Sequence, residues 1–503
     1  MSERRGIRHA GDYELEVLDL YTVSGRVFDL REVYVSLDIY EDIMSHAITG
    51  TLTFKDTNNL ISIAPIIGQE QLALKVKTPQ KNDYEEAIID FTKNYLHVFK
   101  ILTTAKINDY TKSVTISFTT FDVFMNSRVR VSKVYDGEPA EDMVQKILSD
   151  KKLINSTKKL NYEKSINNFK MVFPNVKPFR AIDMIAKRCV SKYNLSPTFI
   201  FYENCFGYNF KSLESIYHKD PVLGRYKQNI SNLDSYTSSL HEEVLNIRDF
   251  KLLRSKDNLI NLMNGLYSSN LVTYDWFSKK ITSNSIGEQN VAENYEFNYI
   301  EDHIKSNTMT VNTGQKLHPG YPLLSESTGY DGKRISDFPD SVIFLESEVS
   351  NSNDKNKLFS ELNNKSYDYP YDPNNPKSWL MKRRSKLGFL SQGVQLEVEV
   401  NGTTNLRVGG LIELEIPNTT NIKGEDKKDK RLSGRFLITK LHHTFSFEEG
   451  STDLEKHICR MRVIRDDYGG KILPSQNSQI DGGRFSAHDV WSSTSIEKGR
   501  PMG

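Results

Sequence analysis

The same succession of three strand-like segments occurs twice in this 503-residue chain, once near each end. In both copies a segment that begins with glycine is followed by a charged loop, an aromatic-containing segment, and a closing segment that ends at an aspartate. Such a repeat predicts two copies of one β-domain in one polypeptide. Antiparallel sheets in general share such patterns, and this simpler explanation stays open. The segments are residues 68–76, 98–102 and 112–122 in the first copy, and 409–416, 435–440 and 456–466 in the second.

Period-two alternation predicts strands around both copies. Ile48, Leu52 and Phe54 alternate with threonines, which is typical of a strand with one buried face. The chain is also 11% aromatic, and aromatic side chains pack well on pleated surfaces. Residues 13–124 are therefore predicted to form an antiparallel barrel or sandwich, and residues 391–466 to return to β-structure.

The region between the copies is predicted to mix helices with strands. Proline suits a first helical turn, and apolar residues at helical spacing follow both Pro139 and Pro178. The fold class predicted for the whole chain is therefore α+β, mainly β, with two similar antiparallel β-barrel domains and a mixed α/β region between them. The further elements are helices over residues 139–148, 178–190 and 249–264, a hairpin over 198–202 and 207–210, and a strand over 266–277.

Residues 284–376 lack periodic apolar positions and are rich in asparagine, serine, aspartate and lysine, so they are predicted to form long loops or an insertion. A basic amphipathic helix is predicted over residues 376–390, with Trp379 and Leu380 on its apolar side. A solvated outer face is the predicted role of its basic residues, and contact with nucleic acid or an acidic partner is the alternative. These residues are Lys382, Arg383, Arg384 and Lys386.

Phe485 and Trp491 are isolated aromatic residues in a tail that is rich in glycine, serine and aspartate. Such residues often anchor a segment that folds on binding, so both are candidate partner-binding residues, with plain disorder as the alternative.

The predicted regions are a first barrel over 1–128, a mixed helix and hairpin domain over 129–240, a helix and strand over 241–283 that return to the second barrel, an insertion over 284–376, a second barrel over 377–466, and a flexible tail over 467–503.

The charge is nearly balanced, with 66 basic and 65 acidic residues, which argues against a globally basic nucleic-acid binder. Three cysteines without metal-type spacing are typical of small buried residues in a reducing compartment. The polar N-terminus contains no recognisable signal peptide, and no apolar stretch is long enough to span a bilayer. The chain is therefore expected to fold in the cytoplasm, without stable membrane insertion.

The motifs of common enzymes are missing from the sequence. There is no nucleophile elbow, no P-loop and no dinucleotide-binding fingerprint. His241 begins a zincin-like segment, but Leu245 occupies the position of the required second histidine. The chain is therefore predicted to be no enzyme and to use no cofactor.

The best metal candidate combines His442 and His443 with His457 and Cys459 on the expected partner strand. Adjacent residues of a strand point to opposite faces, so His442 and His443 cannot both bind one ion. Cross-strand packing is therefore predicted in place of a metal site.

Four stretches resemble the baseplate central hub proteins of contractile-tailed phages, a group related to phage late-control proteins and to the base of type VI secretion spikes. The likeness depends on the order of these stretches and on the two-domain plan, and it covers most of the chain outside residues 284–376 and the tail. The stretches are residues 37–56, 199–213, 405–414 and 434–445.

The resemblance implies a structural role in a virion baseplate, assembled in the host cytoplasm. Two tail-tube-like barrels per subunit would form a homotrimeric, near-sixfold ring between the tail tube and a central spike. The implied partners are the spike protein, the tail tube or tube-initiator protein, and neighbouring baseplate wedge proteins. Genomic DNA would pass through the lumen without specific binding. The alternatives are a tail-associated cell-wall hydrolase and the hub of a phage-derived secretion or injection particle.

Overall fold

The structure is a computed structural model. It describes residues 6–57, 63, 66–79, 88–166, 168–193, 196–219, 222–228, 240–254, 269–275, 280–282, 341–346, 379–380, 383–384, 387–388, 394–417, 428–429, 432–448 and 454–465.

Strands dominate these residues. They are β1 Glu14–Tyr21, β2 Val27–Asp29, β3 Tyr34–Asp42, β4 Thr49–Asp56, β5 Gln71–Lys77, β6 Ile88–Asp90, β7 Leu96–Lys106, β8 Lys112–Thr120, β9 Val131–Pro139, β10 Leu160–Tyr162, β11 Asn168–Val176, β12 Phe199–Asn204, β13 Gly207–Ser212, β14 Val222–Lys227, β15 Ile247–Arg254, β16 Ser269–Asp275, β17 Lys280–Thr282, β18 Ser341–Glu346, β19 Val394–Asn401, β20 Leu411–Glu415, β21 Gly434–Glu448 and β22 Leu454–Arg465. The helices are α1 Asp122–Arg128, α2 Ala140–Ser149, α3 Pro178–Arg188, α4 Leu213–Lys219 and α5 Leu240–Val244.

Two groups of six strands share one strand order. The first group runs β3-β4-β8-β7-β5-β1 across the sheet, and the second runs β15-β19-β22-β21-β20-β14. Numbered along the chain within each group, both orders read second, third, sixth, fifth, fourth, first. We call these groups the first repeat and the second repeat. Four of the five neighbouring pairs are antiparallel in both repeats, whereas β1 pairs with β5 antiparallel and β14 pairs with β20 parallel.

The strand order agrees with the repeat seen in the sequence. The three segments of each copy correspond to the fourth, fifth and sixth strands of each repeat, β5, β7, β8 and β20, β21, β22. A mainly β fold with large antiparallel sheets is thus confirmed. Two closed barrels are not confirmed, because the strands of the described residues do not form a closed barrel. In the second repeat the two end strands approach each other at a single bridge between Lys227 and Asn246.

Each repeat has its own apolar core, because alternate residues of its strands point to one side of the sheet. The core of the first repeat includes Leu37, Leu52 and Phe118, all fully buried. The core of the second repeat is built around residues such as Val398 and Met461. The repeats are therefore two packed units within one 14-stranded sheet.

A third core lies between the repeats along the chain. Helices α2 and α3 pack their apolar faces against strands β9, β11, β12 and β13, and Ile147, Ile182 and Phe210 are fully buried there. Two of the predicted helices and the predicted hairpin have their counterparts in α2, α3 and the β12–β13 pair.

Several predictions about the later chain need correction. Residues 249–264 were predicted to be helical, but β15 is a strand as far as Arg254, and residues 255–264 lie outside the described part. The apolar spacing there also fits a strand whose inner face packs on the second core. The strand β14 pairs with β20 of the second repeat, although it falls within the predicted mixed domain. Within the predicted loop-rich insertion, β18 is a strand that pairs parallel to β16.

The predicted basic helix is described at six residues only, of which five are helical and Trp379 lies in a turn. Arg383 contradicts the predicted solvated face, because its guanidinium donates to the carbonyl oxygens of Ala186 and Pro197, at 3.1 and 2.9 Å. Burial lowers the pKa of this guanidinium to about 10. Phe485 and Trp491 lie outside the described residues. In the part of the chain that the structure describes, no helix is long and apolar enough to cross a membrane.

Candidate assembly site at the junction of the two repeats

One long strand joins the two repeats edge to edge. β21 has 15 residues, and its first part pairs with β20 only as far as Leu437. From Lys440 to Ser446 the same edge of β21 pairs antiparallel with β3 of the first repeat. Because β21 changes partner along its length, the two sheets become one continuous sheet at this junction.

Charged and polar side chains cover the face of the junction that points away from the two cores. We call this the mixed-charge face. One row across the sheet reads Lys251, Glu397, Arg462, Lys440, Asp42, since each residue lies opposite the next. A second row reads Asp249, Glu399, Arg460, His442, Tyr40 in the same way.

Opposite charges are paired on the mixed-charge face. The Lys440 ammonium lies 2.7 Å from Asp42, and the Arg460 guanidinium donates to Glu399 at 2.8 Å. The His442 ring lies 2.8 Å from the Asp38 carboxylate and stacks on Tyr40 with a centroid separation of 4.4 Å. An open cavity of about 530 Å³ lies across the junction, and its lining includes Lys440, Asp42, Arg460, His442 and Tyr40. The face therefore has no large excess of either charge.

On the buried side of β3, the carboxylate of Glu41 contacts two other parts of the fold. It accepts from the backbone N–H of Cys205, in the β12–β13 turn, at 2.6 Å, and from that of Val408, before β20, at 2.8 Å. Glu41 is 2% exposed, and burial raises the pKa of its carboxyl group. One side chain of the first repeat thereby satisfies backbone donors of the middle region and of the second repeat.

A buried lysine and two carboxylates connect the first repeat with the middle region. The Lys158 ammonium lies 2.6 Å from Glu203 and 3.1 Å from Asp122. Glu203 also accepts from the Thr120 hydroxyl at 2.9 Å, and Asp122 accepts from the Tyr208 hydroxyl at 2.7 Å. Burial raises the pKa of Glu203 although Lys158 opposes the shift. Burial alone would lower the pKa of Lys158, but the two carboxylates outweigh it and raise that pKa.

The predicted metal candidate separates into two sets. His442 lies on the mixed-charge face, whereas His443, His457 and Cys459 are fully buried on the core side, as the alternation of a strand requires. The His443 Nδ1 atom lies 3.0 Å from His457 Nε2, and Cys459 Sγ lies 3.2 and 3.4 Å from these two atoms. Three potential ligand atoms therefore meet at one point.

The two rings and the thiol lie within hydrogen-bonding distance of one another, whereas His443 Nε2 and His457 Nδ1 are buried without a hydrogen-bond partner among the described residues. A neutral imidazole carries one donor and one acceptor, so one ring donates to the other and the thiol completes the set. The His457 ring stacks on Phe445 at 4.1 Å, and its backbone N–H and C=O bond to Gly11 and Gly402. His443, His457 and Cys459 are nevertheless the residues that would hold a metal ion, through two imidazole nitrogens and a thiolate.

Burial keeps both core histidines neutral. It lowers the pKa of His443 to about 3 and holds the pKa of His457 well below its ordinary value of 6.5. Burial also raises the pKa of the Cys459 thiol. The arrangement suits two neutral rings and a protonated thiol packed between β21 and β22.

Acid is expected to destabilise the chain through this cluster. Because the folded pKa values lie below 6.5, the unfolded chain binds more protons as the pH falls from 6.5 towards 3, so stability is lost in that window. His457→Phe removes one titrating ring, and the loss should then be smaller by up to about 1.4 kcal/mol per pH unit. Urea unfolding at several pH values measures the difference. Above pH 7.5 both proteins should show the same pH dependence, and an unchanged slope below pH 6 would contradict the assignment.

Sequence reasoning missed Glu41, Glu203 and Lys158. A signal for Glu41 exists, since it follows Leu37 and Ile39 at alternate positions and therefore points to the core side of β3. Glu203 carries a comparable signal inside the apolar segment of β12. The sequence offers no such signal for Lys158, because its partners come from distant parts of the chain.

No family model and no curated protein matches the chain. Among solved structures, the tail protein from Neisseria meningitidis is 11% identical, with 91% of this chain and 98% of that chain covered and a TM-score of 0.47. The 43 kDa tail protein of prophage MuSo2 from Shewanella oneidensis is 9% identical, with 90% and 98% covered and a TM-score of 0.47.

A type VI secretion component from E. coli is 7% identical, with 92% of this chain and 80% of that chain covered and a TM-score of 0.37. It is described as structurally similar to the T4 bacteriophage tail proteins gp27 and gp5. Tail and secretion proteins, the groups that the sequence resembles, are thus among the structural neighbours of this chain.

Proposed function

We propose that this chain is the central hub of a contractile-tail baseplate, a structural protein without catalytic activity. Three copies form a ring that connects the tail tube to the central spike. The observation that carries the proposal is the repeated strand order, with the two repeats joined edge to edge through β21 and β3. The sequence resemblance to hub proteins points in the same direction.

The physical basis of the proposal is the mismatch between a sixfold tube and a threefold spike. Three identical single-unit patches cannot satisfy six equivalent tube contacts. A chain with two similar units presents two similar surfaces, so three chains present six. The differences between the repeats, such as the parallel pairing of β14 with β20, leave the ring threefold and allow it to bind a threefold spike.

The mixed-charge face supports a role in lining the DNA channel. A strongly basic wall would bind the phosphate backbone and slow the passage of DNA. On this face Lys440 and Arg460 each have an acidic partner, so the wall would guide DNA without holding it. DNA accordingly passes the lumen without specific binding.

The hub is placed in the virion baseplate and is assembled in the host cytoplasm. Its partners are further copies of itself, the central spike protein, the tail tube or tube-initiator protein, and the neighbouring wedge proteins. The middle region and the tail with Phe485 and Trp491 are the parts available to distinguish the spike side from the tube side, because they are not repeated. The proposed domain boundaries remain those given by the sequence, with β14 added to the second repeat.

Light scattering of the purified chain, alone and mixed with the spike protein encoded beside it, tests the proposal. The expected particle has about three times the 57.8 kDa mass of one chain, either alone or with the spike. A monomer that the spike leaves unchanged would contradict it. Clearing of peptidoglycan in a zymogram would support the hydrolase alternative, and neighbouring genes for capsid and terminase would separate a phage from a phage-derived particle.

A further inference from the structure

β7 of the first repeat and β21 of the second repeat are equivalent strands that share one irregularity, and β7 has a second bulge at Leu102 that β21 lacks. Each is the fifth strand of its repeat, and each pairs with the fourth strand only at its beginning. In each of them one residue then has no partner on the sixth strand and forms a β-bulge. This residue is Phe99 in β7 and Thr439 in β21. Past this bulge, β7 and β21 leave the fourth strand, and their outer edges become available to another strand.

The two edges differ in what covers them. The edge of β21 is paired with β3, and Leu441 is 2% exposed. Over the residues that the structure describes, no strand pairs with the edge of β7 from Phe99 to its end. Ile101, which is equivalent to Leu441, is 37% exposed, and Phe99 and Leu102 are 46% and 42% exposed. Apolar strand edges of this kind are templates for pairing with another chain.

β15 is the equivalent of β3, and among the strands that the structure describes its outer edge is also unpaired. Both are the second strand of their repeat and lie at its end. β3 pairs with β4 on one edge and with β21 on the other, and Ile39 is fully buried. β15 pairs with β19 on one edge. Next to the other edge, β14 makes a single bridge from Lys227 to Asn246, just before β15, and no described strand pairs along β15 itself. Its residue equivalent to Ile39 is Leu252, which is 47% exposed.

We propose that the free edge of β7 pairs antiparallel with β15 of a second copy of this chain, repeating the pairing of β21 with β3. The proposal rests on the proposed ring, and it names the surfaces that hold the ring together. Among the described strands, each chain has one unpaired β7 edge and one unpaired β15 edge, so the contact is head-to-tail. Such a contact forms a ring where the rotation between chains closes and an open filament where it does not. The two repeats of one chain are related by one rotation, and the facing repeats of neighbouring chains by another. If these two rotations are equal, the six repeats of three chains form a closed ring with near-sixfold symmetry.

The register follows from the strand pairs already formed. Ser117 and Arg462 are equivalent, since they lie opposite Lys100 and Lys440 just after the two bulges. Ser113 and Ile458 each lie four residues before these two positions on the sixth strands, so they are equivalent as well. They lie opposite Ala105 of β7 and Thr444 of β21, which are therefore equivalent to each other.

The partner strand is counted across the sheet in the same way. Asp38 lies opposite Thr51, which lies opposite Ser117, and Lys251 lies opposite Glu397, which lies opposite Arg462. Asp38 of β3 is therefore equivalent to Lys251 of β15. Thr444 lies opposite Asp38 within the chain, so Ala105 should lie opposite Lys251 of a second copy.

Disulfide cross-linking of the full-length chain tests this register. The three native cysteines are buried and free, so they do not interfere at the surface. Directly opposed strand residues have Cα atoms within disulfide range. The variant carrying Ala105→Cys and Lys251→Cys should therefore form covalent dimers and trimers on mild oxidation, with more than half of the protein linked. Each single variant should stay at the mass of one chain on a non-reducing gel.

The control moves one cysteine out of register. Arg248 is three residues before Lys251 on β15, about 10 Å along the strand, which is beyond disulfide reach. Ala105→Cys combined with Arg248→Cys should therefore cross-link at least tenfold less. Equal cross-linking of the two double variants would overturn the proposal, because random collision would explain it.

A charge on the edge gives an independent readout. Leu252→Asp should shift the particle from three chains towards one, because a carboxylate would replace an apolar contact at the interface. Val23→Asp, at an apolar residue of a turn that is 59% exposed, should leave the mass unchanged. Failure of the two proposals is distinguishable: a threefold particle without the Ala105–Lys251 cross-link overturns the β7–β15 interface alone, whereas a chain that stays monomeric with the spike overturns the ring as well.

Discussion

Replacing Lys158 with methionine is expected to lower the free energy of unfolding by about 3–5 kcal/mol, the usual cost of leaving a buried charge without its partner. The ammonium lies between the carboxylates of Glu203 and Asp122, and all three side chains are at least nine-tenths buried. Methionine has a similar length and fills the space, so the loss reflects charge rather than a cavity. The two carboxylates would then face each other without a cation, and one of them would have to take up a proton.

Denaturant unfolding measures the effect, and two further variants interpret it. Lys146→Met removes a lysine whose 2.6 Å ion pair with Glu138 is exposed to solvent, so its cost should stay below about 1 kcal/mol. Adding Glu203→Gln to Lys158→Met should restore part of the loss, because it removes one of the uncompensated charges. A loss below about 1 kcal/mol in Lys158→Met would show that the cluster is hydrated and contributes little.

The local part of the fold could be predicted from the sequence. Strands such as β4 and β8 alternate with period two, and α2 and α3 carry apolar residues at helical spacing after a proline. The repeat was also visible, because the fourth to sixth strands lie close together along the chain in each copy. The first two strands of the second repeat, β14 and β15, were missed. They are separated from its other strands by the long segment over residues 255–393, so local pattern gives no hint of their partners.

The candidate site was harder to predict than the fold, because it is made of contacts between distant parts of the chain. The position of His442 on one face and His443 on the other follows from strand geometry alone. The partners of Lys158 and of Arg383 do not, since charge and amphipathic spacing predict solvent exposure for both residues. What buries them is the docking of one unit on another, such as Arg383 donating to the carbonyl oxygen of Pro197.

The second large expected effect concerns Glu41, whose carboxylate holds the three units together. Glu41→Leu should lower the free energy of unfolding by about 2–4 kcal/mol, because it leaves two buried backbone donors, the N–H groups of Cys205 and Val408, without an acceptor. Glu41→Gln should cost less, since its amide oxygen can still accept from one of them. Glu32→Leu is the matched control, because Glu32 is exposed just before β3, and it should change stability by less than about 0.5 kcal/mol.

The location of this loss is as informative as its size. Because the two donors belong to different units, Glu41→Leu should loosen the contacts of the first repeat with the β12–β13 turn and with the loop before β20, while leaving each separate core intact. Hydrogen exchange should therefore speed up at Cys205 and Val408 and stay slow at core strand residues such as Leu52 and Val398. Uniformly faster exchange would mean that Glu41 stabilises only its own repeat. If the faster exchange is confined to the junction, a single acceptor on β3 fixes the positions of the two repeats relative to the middle region. A ring built from paired strand edges requires such fixed positions.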